Sequence, residues 1–252
     1  MSDAPNAPLY DRIGGGYASN RRADPRWAAR IAQAIGDAQS VLNVGAGAGS
    51  YEPPGRTAVA VEPSLEMIAQ RPRDGAPAVR GVGGALPFRD GAFDAAMAVL
   101  TVHHWPDIAA GIAEMRRTAK RQVIVTWDVA LFAERFWFTR DYLQSVGPEE
   151  HRAADASRVA AQLEHAMVLP LPVPHDCTDG FFAAYWRRPA AYLDPEIRAS
   201  ISGLALMDPE VLARAIARLG ADLTRGGWRR RYHELLDLEE LDLGYRIVIG
   251  GT

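Results

Sequence analysis

The 252-residue chain has a single cysteine, Cys177, which excludes a disulfide framework and any zinc site built from cysteines. It carries no large excess of either charge. Lys and Arg number 28 against 31 Asp and Glu, a formal net charge of -3, so nothing in the composition marks a partner as nucleic acid or an anionic membrane. The one basic cluster, Arg229 to Arg231, follows Trp228 and reads as the solvated face of a helix. No apolar run approaches the ~18 residues of a membrane span, and the opening MSDAPNAPLY lacks the charged-then-apolar pattern of a signal peptide. Internal repeats and low-complexity tracts are missing too. A cytoplasmic protein, monomer or homodimer, with no nucleic-acid partner and no membrane insertion, is the expectation.

What is present alternates between strand and helix. Asp24-Pro25 is a helix start, with Trp27, Ile31 and Ile35 at helical spacing before Gly36. Apolar runs at 41–44, 57–62, 76–81, 93–100 and 121–127 read as five strands, and the stretch between the fourth and fifth reads as a helix with Ile108, Ile112 and Met115 on one face. Strands separated by helices pair in parallel, giving an α/β doubly wound sheet. Segments 165–174 and 243–251 read as sixth and seventh strands. About seventy residues of helical character lie between them, with Asp194-Pro195 and Asp208-Pro209 as further helix starts.

The first strand runs into VLNVGAGAGSYEPPG, residues 41–55. In open α/β sheets the first strand-to-helix turn is the usual ligand cradle, and glycines there let backbone amides approach a bound molecule. The dinucleotide fingerprint would place its third glycine at position 50, but the glycines are Gly45, Gly47 and Gly49 and position 50 is Ser. No lysine is near, which excludes a phosphate loop. Pro53 and Pro54 cut the following helix to a turn, weakening the dipole that a pyrophosphate would use. A nucleoside without phosphates fits better. Glu62, at the end of the second strand, is placed to accept hydrogen bonds from both hydroxyls of a ribose; the competing reading makes it an exposed strand-end carboxylate capping the helix at Ser64.

With VLNVGAGAGS, Glu62, the stretch GALPFRDGAFDAAMAVLTVHHWPD (84–107) and the N-terminal YDRIGGGYASNRRADPRW (10–27), the sequence resembles the class I S-adenosylmethionine-dependent methyltransferases. The likeness is to the small-molecule, type 11 branch that includes ubiquinone and menaquinone C-methyltransferase-like enzymes. It covers about residues 10–127. It implies a Rossmann-like seven-stranded sheet of order 3-2-1-4-5-7-6 with strand 7 antiparallel, in a single methyltransferase domain over 1–252. That domain would comprise an N-terminal helical lid (1–37), a cofactor-binding half (38–127) and a helical substrate cap (175–240) inserted between strands 6 and 7. S-adenosylmethionine would lie against Asn43, Gly45, Ala46, Gly47, Gly49, Glu62, Pro63, Val82, Gly83, Leu100 and Thr101, with Tyr17 and Arg21 facing its methionine end. Two positions depart from the family: Asn43 stands where Asp or Glu is usual, and the acidic residue that often recognises adenine is replaced at Val82 or Gly83.

The implied chemistry needs an in-line nucleophile, exclusion of water and, for some acceptors, a base. His103 and His104 follow the fourth strand; either imidazole suits the task, and His103 lies nearer the strand end. Trp127 and Asp128 after strand five, and His175, Asp176, Asp179, Tyr185 and Trp186 after strand six, are candidate substrate-wall residues, with Cys177 among them as packing. No metal is expected. The reaction read from this is methyl transfer to an O, N or C atom of a small, partly apolar acceptor. The rival readings are an RNA or protein methyltransferase, a cofactor-binding protein that transfers no methyl (regulatory or cyclase-like), and a dehydrogenase.

Overall fold

The computed structural model describes residues 21–143 and 152–251. Its first helix, α1 (Pro25–Ile35), starts where Asp24 accepts a hydrogen bond from the Arg26 amide, and ends at Gly36, φ 70°, whose own amide closes on Ala32 and Gln33. There follow β1 (Ser40–Val44), β2 (Thr57–Glu62), α2 (Leu65–Ala69), β3 (Ala78–Arg80), β4 (Phe93–Val99), α3 (Ile108–Thr118), β5 (Ala119–Trp127) and α4 (Val129–Arg135). Beyond these come a π-helical turn at Phe138–Leu143, α5 (Ala156–Ala160), β6 (Met167–Pro170) and β7 (Val173–Pro174). Four helices then lie between residues 195 and 231: α6 (Pro195–Ala199), α7 (Ser202–Ala205), α8 (Pro209–Thr224) and α9 (Gly227–Arg231). The segment ends with β8 (Glu240–Leu241) and β9 (Tyr245–Gly251). Asp194 and Asp208 cap α6 and α8, each with a proline at the first position.

The main sheet has seven strands in the order β3-β2-β1-β4-β5-β9-β6. β9 runs antiparallel to both neighbours, and the other pairs are parallel. This is the expected Rossmann-like arrangement, with β9 as the seventh strand. The sixth strand is shorter than the 165–174 expectation: it ends at Pro170, because Pro170 and Pro172 supply no amide to a ladder. Val173 and Pro174 leave the sheet and pair with Glu240 and Leu241 in a separate two-stranded ribbon.

Side chains alternate between two cores along the central strands. Val41, Ala95, Met97, Val123, Val125, Ile247 and Ile249 face α1 and the helices after residue 189, whereas Leu42, Ala96, Ala98, Ile124 and Val248 face α3 and α5. On the first face Phe136, Trp137, Phe138, Tyr192, Trp228 and Tyr232 pack ring against ring, for example Trp137 on Trp228 at 5.4 Å and Phe138 stacked on Tyr192 at 4.5 Å. The aromatics of the two insertions are therefore mostly the core that joins them to the sheet. Among the described residues no helix is long and apolar enough to cross a membrane.

Candidate active site

A cavity of about 400 Å³ opens at the carboxyl ends of β1, β2 and β4, the crevice where strand order reverses in such sheets. Its floor is the turn after β1. Gly45 has φ 69°, and a β carbon there would lie 2.1 Å from the Thr101 hydroxyl oxygen; the loop and the end of β4 touch only because the side chain is missing. The amides of Gly45 and Ala46 both donate to the Val61 carbonyl, at 2.8 and 3.1 Å. Leu100 (φ 50°) and Tyr51 (φ 67°) also line the cavity. Non-glycine residues in the left-handed region cost of order 1–3 kcal/mol each and gather at functional sites.

Glu62 is 4 % exposed. Its Oε2 accepts from the Gly47 amide at 2.8 Å and its Oε1 from the Ser64 amide at 3.0 Å. The carboxylate of the competing reading does meet Ser64, but it is buried rather than exposed and the Ser64 hydroxyl caps α2 by accepting from the Met67 amide; Glu62 also pins the glycine turn at the cavity wall.

Asn43 departs from an acidic residue, and the structure shows what stands beside it. Its Nδ2 donates to Glu52 Oε1 at 3.2 Å, and Glu52 is paired with Arg71 at 2.6 Å with both side chains nearly buried. Arg71 also donates to the carbonyls of Gly47 and Ala76. The negative charge beneath the loop comes from Glu52, nine residues along, and is balanced by an arginine that itself holds the loop.

At one end of the cavity Arg21 donates from Nε to Asp179 Oδ1 at 2.5 Å, and Tyr51 donates its hydroxyl to Asp179 Oδ2 at 2.8 Å. Asp179 is fully buried. Burial, with the Asp179 charge alongside, pushes the Tyr51 phenol well above its ordinary range. Nearby, Asp24 is buried, which on its own would raise its carboxyl. Hydrogen bonds from the Arg26 side chain and from the Thr178 and Arg26 amides outweigh that and bring it down to about 2.

Of the residues proposed for the cofactor, Arg21, Asn43, Gly45, Ala46, Gly47, Glu62, Pro63, Val82, Gly83, Leu100 and Thr101 line this cavity. Gly49 does not: a β carbon there would meet the Arg71 guanidinium at 3.2 Å. Tyr17 lies outside the described residues. His104 lines the cavity, while His103 faces a second cleft beside Arg158 and Gln162 and packs its ring on Trp127 at 4.9 Å. The cavity wall thus holds His104, with the His103 ring 3.8 Å behind it.

The substrate-wall set is dispersed, and none of its seven members lines the cavity. Trp186 is fully buried and donates to the Val173 carbonyl at 3.0 Å, so it is core. Asp128 caps α4. Asp176 pairs with Arg26, and His175 sits against the Glu239 carbonyl. Asp179 is the buried partner of Arg21. Trp127 and Tyr185 are half-buried: Trp127 packs against His103 and Phe132, and the Arg188 guanidinium lies 4.8 Å over the Tyr185 ring. Cys177 is buried, and its thiol is pushed up to about 12 by that burial, in keeping with packing. Sequence reasoning missed Tyr51, Met67, Trp105 and Asp107 on the cavity wall; the one signal was that Trp105 and Asp107 lie within three residues of His104.

Residues 42–126 match a family described as a methyltransferase domain. The sequence matches no curated protein at a significant level. Among solved structures, the chain is similar to a candidate methyltransferase from an antibiotic biosynthesis pathway of Anabaena variabilis. That likeness has 29% identity and a TM-score of 0.77, over 92% of this chain and 99% of that one. A candidate histamine N-methyltransferase from Thermotoga maritima shares the fold at 20% identity and a TM-score of 0.53, over 65% and 84% of the two chains. So does the (4+2)-cyclase SpnF, at 14% identity and a TM-score of 0.54, over 98% and 95%. Residues 42–126 thus match a methyltransferase domain, and the chain has the fold of the class I S-adenosylmethionine-dependent methyltransferases. S-adenosylmethionine is the cofactor this domain implies.

Proposed function

We propose that the chain transfers the methyl group of S-adenosylmethionine to an O, N or C atom of a small, partly apolar acceptor. The observation that carries this reading is the cavity itself: a Gly45–Thr101 contact that only glycine permits, Glu62 in its wall, and Arg21 at one end. The residues fit the cofactor. Glu62 would take the ribose hydroxyls, the turn at Gly45 to Gly47 would lie under the amino-acid portion, and Arg21 would face its carboxylate. Bound there, the cofactor supplies a methyl already activated by its sulfonium.

The protein's own part is positioning and shielding. His104 is the histidine on the cavity wall and the better candidate to remove an acceptor proton. From it a line of rings runs through His103, Trp127, Phe132 and Phe182, with centroids 3.8, 4.9, 6.4 and 5.9 Å apart. Trp127, Phe132 and Phe182 are half-buried, and we assign the acceptor to this apolar side, under the helices of 175–240 acting as the cap. Of the expected lid over 1–37, residues 1–20 lie outside the described residues; 21–37 would close the cofactor end, and 38–127 would form the cofactor-binding half. The whole chain, 1–252, is read as one methyltransferase domain.

The test is incubation with methyl-labelled cofactor and a panel of small aromatic and apolar acceptors, followed by mass spectrometry. Label appearing in one acceptor, matched by release of S-adenosylhomocysteine, supports the proposal. An acceptor rearranged without gaining methyl, with the cofactor left intact, would overturn it in favour of a cyclase-like role.

A further inference from the structure

The cavity has two unlike ends. Arg21 and Tyr51, bound to Asp179, belong to the side of the sheet covered by α1. The opposite end belongs to the α3 side. There the turn Val82–Ala85 is closed by a bridge between its ends and seated on the first turn of α3. A β carbon on Gly83 would come within 3.0 Å of the Trp105 ring, and one on Gly84 within 3.6 Å of Ala110 Cβ. Trp105 is locked in turn by Gly111, where a β carbon would lie 2.2 Å from the ring.

The side chains of this end wall are mostly apolar. Val82, Ala85, Trp105, Pro106 and Ala110 contribute carbon surface, and Asp107 is its single carboxylate. Asp107 is oriented by capping α3: Oδ1 accepts from the Ala110 amide at 2.9 Å. Among the described residues no hydrogen bond engages Oδ2. A flat group with apolar faces and a donor on one edge matches such a wall. The acidic residue that could have met that donor from the neighbouring turn is absent, since positions 82 and 83 are Val and Gly.

We propose that Asp107 is the specificity-determining acceptor for the exocyclic amino group of adenine, replacing an acidic residue on the 82–85 turn. The inference rests on the cofactor reading above. With Glu62 on the ribose and Arg21 at the amino-acid end, the base must extend toward the Trp105 wall. There Oδ2 accepts one amino hydrogen while Oδ1 stays on the helix. The carboxylate then does two jobs, and the capping job orients it for the other.

The test separates the two. Asp107→Ser keeps a helix-capping oxygen but shortens the side chain out of reach of the base. Binding of S-adenosylhomocysteine would be measured by calorimetry beside that of its purine analogue, which carries hydrogen in place of the 6-amino group. The expected result is a loss of about 10- to 100-fold for S-adenosylhomocysteine, the range for a hydrogen bond to a charged group, and an unchanged affinity for the analogue. Asp107→Asn, which keeps size and cap but can turn a donor toward the amino group, should lose at least as much on the first ligand and little on the second. Equal losses on both ligands, or none on either, would overturn the assignment while leaving the cofactor reading intact. A wild-type protein that binds neither ligand would overturn both.

Discussion

Glu62 shows how one side chain can satisfy two readings. Its oxygens hold the amides of Gly47 and Ser64, so it shapes the glycine turn, and it also lines the cavity. Glu62→Ala is expected to weaken S-adenosylhomocysteine binding by ~1.5–3 kcal/mol, read by calorimetry; an unchanged affinity would remove the ribose assignment. The two histidines divide similarly. His104→Ala should slow turnover by ~10²-fold or more if it is the base, with cofactor affinity nearly unchanged. His103→Ala, away from the cavity, should act mainly through the packing of Trp127. Equal kinetic losses from both variants would contradict the assignment. Position 103 is nearer the strand end in sequence, yet the short helical turn at Val102–His104 rotates the next residue, His104, into the cavity.

At the scale of elements, a single buried carboxylate joins three segments distant in sequence. Asp179 holds Arg21 from the N-terminal side and Tyr51 from the turn after β1. Asp179→Asn keeps the volume and removes the charge, so the Arg21 segment should loosen. Trypsin cleavage after Arg22 should accelerate and cofactor affinity should fall, with little change in the far-UV spectrum; identical proteolysis rates would show the contact to be incidental. The strands and helix starts were legible because they depend on local signals: apolar runs, Asp-Pro starts and the glycine spacing. The substrate wall was not legible. Whether Trp186 or Asp128 faces a crevice depends on where the chain after β5 and β6 folds back, and no local pattern carries that. Trp186 joins the core because the chain leaves the sheet at Pro170, forms the β7–β8 ribbon and brings the Val173 carbonyl to its indole.

Across the whole molecule, the sheet separates two cores, and the cavity lies at its carboxyl edge between them. The first core joins the helices after residue 189 to the sheet through ring contacts. Its aromatic content therefore reports stability first, and only the half-buried rings from Trp127 to Phe182 remain as evidence for an apolar acceptor. The match to a methyltransferase domain covers residues 42–126, the third of the chain that builds most of the cavity. The insertions around it are what would set the acceptor.

The central claim is that this cavity takes S-adenosylmethionine. Its most direct test is calorimetric titration of the purified protein with S-adenosylmethionine, S-adenosylhomocysteine and NADH. The account predicts saturable, micromolar, one-to-one binding of the first two and none of the third. Binding of NADH alone would contradict it, since the Gly45–Thr101 contact and Glu62 would then be serving a dinucleotide.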